Sequence, residues 1–303
     1  MADRLMLLDT PSLYFRAFYG VPESVRAPDG TPVNAVRGLL DMIAFLIAER
    51  RPARLLATMD ADWRPQFRVD LVPSYKAHRV AAEDVEEVPD ALSPQVPVIV
   101  EVLTALGFAV TGVEGYEADD VIGTVASAYA GPVEIVTGDR DLFQLVRDPD
   151  VQVLYTQKGL RNLLVVTESV IEEKYGIPGR AYADFALLRG DPSDGLPGVP
   201  GVGDKTAATL IARYGTVGAL LEAASTGGGT LLSAAVCRKL DGARDYLGRA
   251  KTVVQVALDV PVPKLRTEIP REPADPGALV ELCDRWNLDS PVGRLLAVMK
   301  ARA

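Results

Sequence analysis

The chain has 303 residues, of which 48% are hydrophobic and 24% are charged, and its formal net charge at pH 7 is −9. This composition predicts a folded protein without a membrane-spanning segment. With two cysteines and one histidine, a disulfide framework, a cysteine-rich zinc site and a serine–histidine–aspartate triad are all hard to assemble. We expect a cytoplasmic protein. The acidic charge disfavours nucleic acid as a partner, unless bound cations neutralise part of it.

The first half of the sequence alternates apolar, strand-like runs with helical patterns. Residues 4–9, 53–60 and 133–139 are apolar runs that end in an aspartate, as buried strands of a parallel sheet do in α/β proteins. Apolar residues at helical spacing predict helices at 34–51, 92–106 and 117–130. This alternation predicts an α/β fold, in which ligands bind beyond the carboxyl ends of the strands.

After Thr167 the pattern becomes helical, with predicted helices at 168–175, 180–189 and 205–214. We therefore predict two lobes, an α/β lobe at 1–176 and a smaller helical lobe at 177–303. The stretch 191–203 is rich in glycine and proline and separates two of the helices. Residues 225–229 are predicted to form a loop.

Nine acidic residues lie at the strand ends, at one predicted helix start and in the glycine-rich stretch. Each one alone is typical of a turn or a helix cap. Together they predict a site for two or more Mg²⁺ or Mn²⁺ ions, because hard oxygen ligands without histidine or cysteine favour these cations. Such ions can activate water for the hydrolysis of a phosphodiester. The predicted metal ligands are Asp9, Asp60, Glu117, Asp119, Asp120, Asp139, Asp141, Asp191 and Asp194.

Two further motifs suggest phosphate binding. Gly201 and Gly203 leave backbone amides uncovered just before a predicted helix that contains Lys205, an arrangement suited to a DNA phosphate. An ordinary glycine turn is the alternative. Lys76 and Arg79 are three residues apart and would grip one phosphate, or would lie on a solvated helix face.

Arg16, seven residues beyond Asp9, is a third candidate for phosphate binding. From the residues alone, three functions stay open. They are a nuclease that acts on DNA ends, a PIN-type single-strand RNase, and a non-catalytic DNA-binding scaffold with structural metals.

Six segments resemble, in order and spacing, the bacterial 5′-3′ exonuclease and flap endonuclease family, which includes the N-terminal domain of DNA polymerase I. They are LLDTPSLYFRAFYG, MDADWRPQFR, SYKAHR, GYEADDVIGTVA, VTGDRDLFQLV and LRGDPSDGLPGVPGVGDKTA. The resemblance implies a PIN-like nuclease lobe with a mostly parallel sheet. It also implies an arch at residues 74–97 and a helix-three-turn-helix DNA-binding element at residues 191–214.

The resemblance also implies roles for particular residues. It assigns metal binding to the nine acids and places Arg16, Lys76 and Arg79 near the scissile phosphate. It implies a potassium ion at the helix-three-turn-helix element. It further implies a stand-alone, monomeric nuclease of the bacterial cytoplasm, associated with the nucleoid. Such an enzyme cleaves flapped, nicked or gapped DNA near its 5′ end, and removes primer RNA, in replication and repair.

Overall fold

The computed structural model describes residues 3–81, 86–226 and 232–301. Residues 82–85 of the predicted arch and 227–229 of the predicted loop lie outside the described residues. The strands are β1 (Leu5–Asp9), β2 (Arg54–Thr58), β3 (Ala109–Thr111), β4 (Val133–Thr137), β5 (Val151–Tyr155) and β6 (Leu164–Val166).

Helices occur between the strands and throughout the second half of the chain. They are α1 (Thr10–Gly20), α2 (Asn34–Arg50), α3 (Gln66–Leu71), α4 (Gln95–Leu106), α5 (Ala118–Ala128), α6 (Glu168–Tyr175), α7 (Tyr182–Arg189), α8 (Asp204–Tyr214), α9 (Val217–Ser225), α10 (Ala234–Gly242), α11 (Arg244–Val254), α12 (Pro276–Trp286) and α13 (Asp289–Lys300). Over the described ranges, every helix is too short or too polar to cross a bilayer.

The strands form one sheet in the order β3-β2-β1-β4-β5-β6. Neighbouring strands from β3 to β5 pair in parallel, and β6 pairs antiparallel with β5. The central strand β1 is in register on both sides, so that Leu7 pairs with Leu56 of β2 and with Ile135 of β4. The predicted α/β fold with a mostly parallel sheet is confirmed.

Side chains of β1 alternate between two hydrophobic cores. Leu5 and Leu7 belong to the core that contains residues of α5, α7 and α11. Met6 and Leu8 belong to the core that contains residues of α1, α2 and α4. Since successive side chains of a strand point to opposite faces, both faces of the sheet are covered. This burial explains why the strand sequences are continuously apolar.

The last two helices pack on the first lobe. Leu279 and Cys283 of α12, and Leu295 and Met299 of α13, belong to the same core as α2 and α4. The predicted boundary between residues 176 and 177 assigned these helices to the second lobe, and the structure places them with the first. An amphipathic pattern identifies the apolar face of a helix but not the surface that covers it. The boundary itself stays a prediction.

The packing of α13 can be tested by substitution of Leu295, which is 0% exposed. Leu295→Ala should lower the free energy of unfolding by about 2–4 kcal/mol, because it removes buried contacts and leaves a cavity. Val280→Ala is the control, since Val280 of α12 is 60% exposed. It should change the free energy by less than about 0.5 kcal/mol. Urea unfolding measures both variants, and equal effects would contradict this packing.

Candidate active site

Asp9 and Asp60 lie near the carboxyl ends of the neighbouring strands β1 and β2. Asp9 ends β1 and caps α1, accepting a hydrogen bond from the Ser12 amide at 3.2 Å. The Thr137 hydroxyl of β4 donates to the other carboxylate oxygen of Asp9 at 2.5 Å. Asp60 follows β2 and accepts a hydrogen bond from the Ala118 amide of α5 at 2.7 Å. Parallel pairing thus brings both acids to one edge of the sheet.

The loop after β4 supplies two more acids at this edge. The Asp139 amide donates to the Thr137 hydroxyl at 2.8 Å, and the Asp139 carboxylate accepts from the Asp141 amide at 2.8 Å. The Thr137 hydroxyl therefore joins Asp9 to the backbone of this loop. No sequence motif marks this threonine as part of the site.

Glu117, at the start of α5, is held by three side chains. Its Oε2 atom accepts hydrogen bonds from an Arg68 guanidinium nitrogen and from the Tyr75 hydroxyl, both at 2.7 Å. Its Oε1 atom accepts from the Lys76 ammonium. Burial lowers the pKa of Lys76, but Glu117 and nearby acids raise it more, so the ammonium stays charged.

The two aspartates in the first turn of α5 lie in different surroundings. Asp119 lines the space in front of the sheet edge, and within the described part of the chain no group donates a hydrogen bond to it. Asp120 is fully buried, and both its oxygens bond Arg68 at 2.7 Å. The structure therefore separates Asp120 from the other predicted metal ligands.

The turn before α8 brings the last two predicted acids to the same region. Asp191 accepts a hydrogen bond from Arg189 at 3.2 Å, and Asp194 accepts one from Arg79 at 2.7 Å. The Asp194 carbonyl also accepts from the Lys76 amide at 2.9 Å. Lys76 has a φ of 48°, which is uncommon for a residue with a side chain. The segment with the two predicted phosphate-binding cations is thus tied to this turn.

These elements enclose a cavity of about 510 Å³, which we call the acidic cavity. It is lined by the predicted acids Asp9, Asp60, Glu117, Asp119, Asp139, Asp141 and Asp191. Asp194 lines an adjoining cavity of about 100 Å³, and Asp120 lines neither. Lys76 and Arg79 line the acidic cavity. Arg16 instead lines a neighbouring groove, which shares Phe15 with the cavity.

Burial raises the pKa of several of these acids. Burial, helped by the charge of Asp139, raises the pKa of Asp9 to about 6 despite its hydrogen bond from Thr137. Burial and the charge of Glu117 raise the pKa of Asp60 to about 7. Burial also raises the pKa of Asp141. Negative charge is therefore costly in this cavity, and a bound cation would reduce that cost.

The residues present fit a hard divalent cation by their chemistry. Among the described residues, no three acidic, histidine or cysteine side chains are placed to hold a metal ion as they stand. The acidic cavity nevertheless offers eight carboxylates, those of the seven predicted acids and that of Glu86, and neither histidine nor cysteine lines it. This donor set suits Mg²⁺ or Mn²⁺.

The predicted DNA-binding residues lie in the first turn of α8 and on the exposed loop that precedes it. Gly201 has a φ of 70°, and Gly203 is the N-cap residue of α8. The Gly201 carbonyl accepts a hydrogen bond from the Lys239 ammonium of α10 at 3.1 Å. Gly201, Gly203 and Lys205 are all exposed. A helix start with nearby lysines is a suitable site for an anion.

Besides Thr137, two side chains that shape the site could not be recognised from the sequence. Arg68 and Tyr75 both bond Glu117, and both are buried. They lie inside the strings MDADWRPQFR and SYKAHR, but nothing in those strings shows which acid they contact. A buried polar side chain can be recognised as a positioning group only when its partner is known.

Two family models match the chain. The model described as 5′-3′ exonuclease, N-terminal resolvase-like domain, matches residues 4–176. The model described as 5′-3′ exonuclease, C-terminal SAM fold, matches residues 177–276. The chain belongs to the 5′-3′ exonuclease family. A 5′-3′ exonuclease of Streptomyces coelicolor is 58% identical over 302 residues, covering 98% of this chain and 100% of the relative.

A second 5′-3′ exonuclease, from Mycobacterium tuberculosis, is 51% identical and covers 97% of both chains. The fold is also that of the bacteriophage T5 D15 flap endonuclease, crystallised in a complex with DNA and metal ions. That likeness has a TM-score of 0.64 at 16% identity and covers 99% of this chain and 97% of that one. The predicted enzyme class is confirmed, since the chain is a 5′-3′ exonuclease.

The raised pKa of Asp60 leads to a test with Asp60→Asn, which keeps an acceptor for the Ala118 amide. An acid whose pKa is higher in the folded than in the unfolded state stabilises the fold at low pH, and that contribution is lost as pH rises through the folded value. In EDTA at about pH 8, the 5′-3′ exonuclease variant should have a free energy of unfolding about 1–3 kcal/mol higher than wild type.

The difference should shrink towards about pH 5, where Asp60 of the folded wild type is mostly protonated. Urea unfolding at several pH values measures it. Saturating Mn²⁺ should stabilise wild type more than the variant. A variant that is less stable than wild type in EDTA at every pH would contradict the pKa assignment.

Proposed function

We propose that this 5′-3′ exonuclease hydrolyses phosphodiester bonds near the 5′ end of flapped, nicked or gapped DNA with two or more Mg²⁺ or Mn²⁺ ions. The observation that carries the proposal is the acidic cavity, where eight carboxylates and three cationic side chains meet at the carboxyl edge of a mostly parallel sheet. The exonuclease relatives support the reaction, and the phage flap endonuclease with DNA and metal ions supports the substrate and the cofactors.

The carboxylates of the acidic cavity would hold the cations, which when bound supply an activated water and stabilise the charge of the phosphodiester transition state. Lys76 and Arg79 would contact the scissile phosphate, because both line this cavity and both carry charge. Their side chains are already held by Glu117 and Asp194, so little conformational entropy is lost when substrate binds.

Arg16 would contact the DNA from the neighbouring groove. Its Nε atom is buried and has no hydrogen-bond partner among the described residues. The groove has a volume of about 800 Å³ and shares Ser12, Phe15 and Gly138 with the acidic cavity. Arg16 would therefore bind a phosphate beside the scissile one.

The exposed loop with Gly201 and Gly203, together with Lys205 in the first turn of α8, would bind the phosphate backbone of the duplex. The proposal includes a potassium ion held by backbone carbonyls of the element at residues 191–214. The carbonyl of Gly201 already accepts a hydrogen bond from Lys239, so other carbonyls would supply most ligands. Family resemblance supports a monomer of the bacterial cytoplasm, near the nucleoid, that acts in primer removal and DNA repair.

The central test of this function is Asp139→Asn with end-labelled nicked, gapped and 5′-flapped duplexes. Wild type should cleave them with Mg²⁺ or Mn²⁺ and not in EDTA. The variant should lose more than about 100-fold in kcat, because a cation ligand is removed, while the Kd for DNA changes less than about threefold. Asp284→Asn, at an exposed position of α12, is the control and should cleave normally.

Retained turnover of the Asp139 variant on the flapped duplex would contradict the cation mechanism. Faster cleavage of single-stranded RNA than of flapped DNA by wild type would support the single-strand RNase instead. Binding of DNA without cleavage at any Mg²⁺ or Mn²⁺ concentration would support the non-catalytic scaffold.

The duplex-binding loop is tested by Lys205→Ala. Loss of one phosphate contact should raise KM for the duplex without lowering kcat, and should reduce the slope of log Kd against log salt by about 0.9. Lys300→Ala, at the exposed end of α13, should leave both quantities unchanged. Fluorescence anisotropy at several salt concentrations measures the slope. An unchanged slope for the Lys205 variant would indicate that the loop is an ordinary turn.

A further inference from the structure

Arg68 of α3 is a buried cation, with a side chain that is only 3% exposed. One terminal nitrogen donates to Glu117 and to Asp120 at 2.7 Å each, and the other donates to Asp120 at 2.7 Å. Its Nε atom donates to the Val253 carbonyl at 3.1 Å, at the end of α11. Each of its guanidinium nitrogens is thus engaged. A buried charge of this kind persists only when it is fully paired.

Asp120 has no acceptor capacity left for a cation. Its Oδ1 atom accepts from Arg68 and from the Ala257 amide at 2.8 Å. Its Oδ2 atom accepts from Arg68 and from the Glu117 amide at 3.2 Å. A carboxylate has about four lone-pair sites, and here the protein occupies all of them. The side chain is also 0% exposed.

Asp119 differs from Asp120 although the two are adjacent. Glu117 and Asp120 are three residues apart, so they share a side of α5 and can meet one guanidinium. The Asp119 carboxylate lines both cavities instead, and no donor in the described part of the chain bonds it. Because Arg68 anchors Glu117 and Asp120, the backbone of Asp119 between them is fixed, while the carboxylate oxygens of Asp119 stay available to a ligand.

The salt bridges also separate the acids into paired and unpaired ones. Arg68 and Lys76 neutralise Glu117 and Asp120 through salt bridges. Within the described ranges, six acids of the acidic cavity have no salt bridge of their own, and they are Asp9, Asp60, Glu86, Asp119, Asp139 and Asp141. A divalent cation gains most from the acids that the protein has left unpaired.

We propose that Arg68 is a positioning residue for divalent-cation binding, and that Asp120 is its structural partner and not a cation ligand. The inference rests on the proposed function, since it needs a cation in the acidic cavity. Arg68 holds the first turn of α5 so that the Asp119 carboxylate lines that cavity. Its bond to Val253 attaches the same turn to the end of α11.

The first test compares Asp119→Asn with Asp120→Asn by calorimetric titration with Mn²⁺ in the absence of DNA. Asp119→Asn should weaken Mn²⁺ binding by about tenfold or more and leave Tm unchanged or higher, because it removes a ligand from an unpaired acid. Asp120→Asn should change the Mn²⁺ affinity by less than about threefold and lower Tm by several degrees, because it breaks a buried ion pair.

The second test is Arg68→Lys, which keeps the charge but cannot hold two carboxylates and a carbonyl in one planar fork. Measured well below its Tm, the variant should bind Mn²⁺ about tenfold more weakly and show a lower kcat with an unchanged KM for DNA. Arg249→Lys is the matched control, since Arg249 is exposed on α11. It should behave as wild type.

Equal losses of Mn²⁺ affinity in the two aspartate variants, at unchanged Tm, would overturn the role given to Asp120. Wild-type Mn²⁺ affinity and kcat in Arg68→Lys, with only Tm lowered, would show a structural role and overturn the positioning role. If Arg68→Lys does not fold, the comparison of Asp119→Asn with Asp120→Asn still decides whether Asp120 is a structural partner or a cation ligand. Wild type that binds no Mn²⁺ would instead overturn the proposed cation site, and this inference with it.

Discussion

The parallel pairing of β1 with β2 and β4 is the constraint on which the site depends. Parallel strands end at the same edge of a sheet, and in this chain they deliver Asp9, Asp60 and Asp139 to one place. Hydrogen bonds from Thr137 and from the start of α5 then fix two of these acids relative to one another. Both faces of the sheet are covered by helices, so the acids lie against a rigid, apolar interior that makes their charge costly.

The protein meets this cost in two different ways at the two sides of α5. On one side Arg68 and Lys76 pair with Glu117 and Asp120, and the charges balance without any ligand. On the other side, burial raises the pKa of Asp119, because its negative charge is costly there. Within the described residues no salt bridge balances this charge, and a bound cation would do so. The same helix start thus provides structural anchors and open ligands, which is how a rigid scaffold can support a site that must also bind and release substrate.

A close backbone contact helps to join the second lobe to this edge. Gly195 has a φ of 70°, and a Cβ atom there would lie 2.1 Å from the Ser74 carbonyl oxygen, so a side chain would force the two segments apart. The Ser74 hydroxyl and the Lys76 amide donate to carbonyls of the same turn, at 2.7 and 2.9 Å. The cations that would hold the scissile phosphate are therefore fixed to the turn that precedes the proposed duplex-binding loop.

The sequence by itself determined three of the strands, the family and most acids of the candidate site. Apolar runs that end in aspartate predicted β1, β2 and β4, and the order of the motifs identified the 5′-3′ exonuclease family. The acids of the cavity were recognised because their spacing placed them at strand ends and helix starts. Only the tertiary structure decided three features. They are the burial of Asp120 against Arg68, the position of Arg16 in the groove beside the cavity, and the packing of α12 and α13 on the first lobe. Periodicity and spacing show which face or position a residue occupies, whereas the partner that meets it, such as Arg68 for Asp120, comes from a segment far away in the chain.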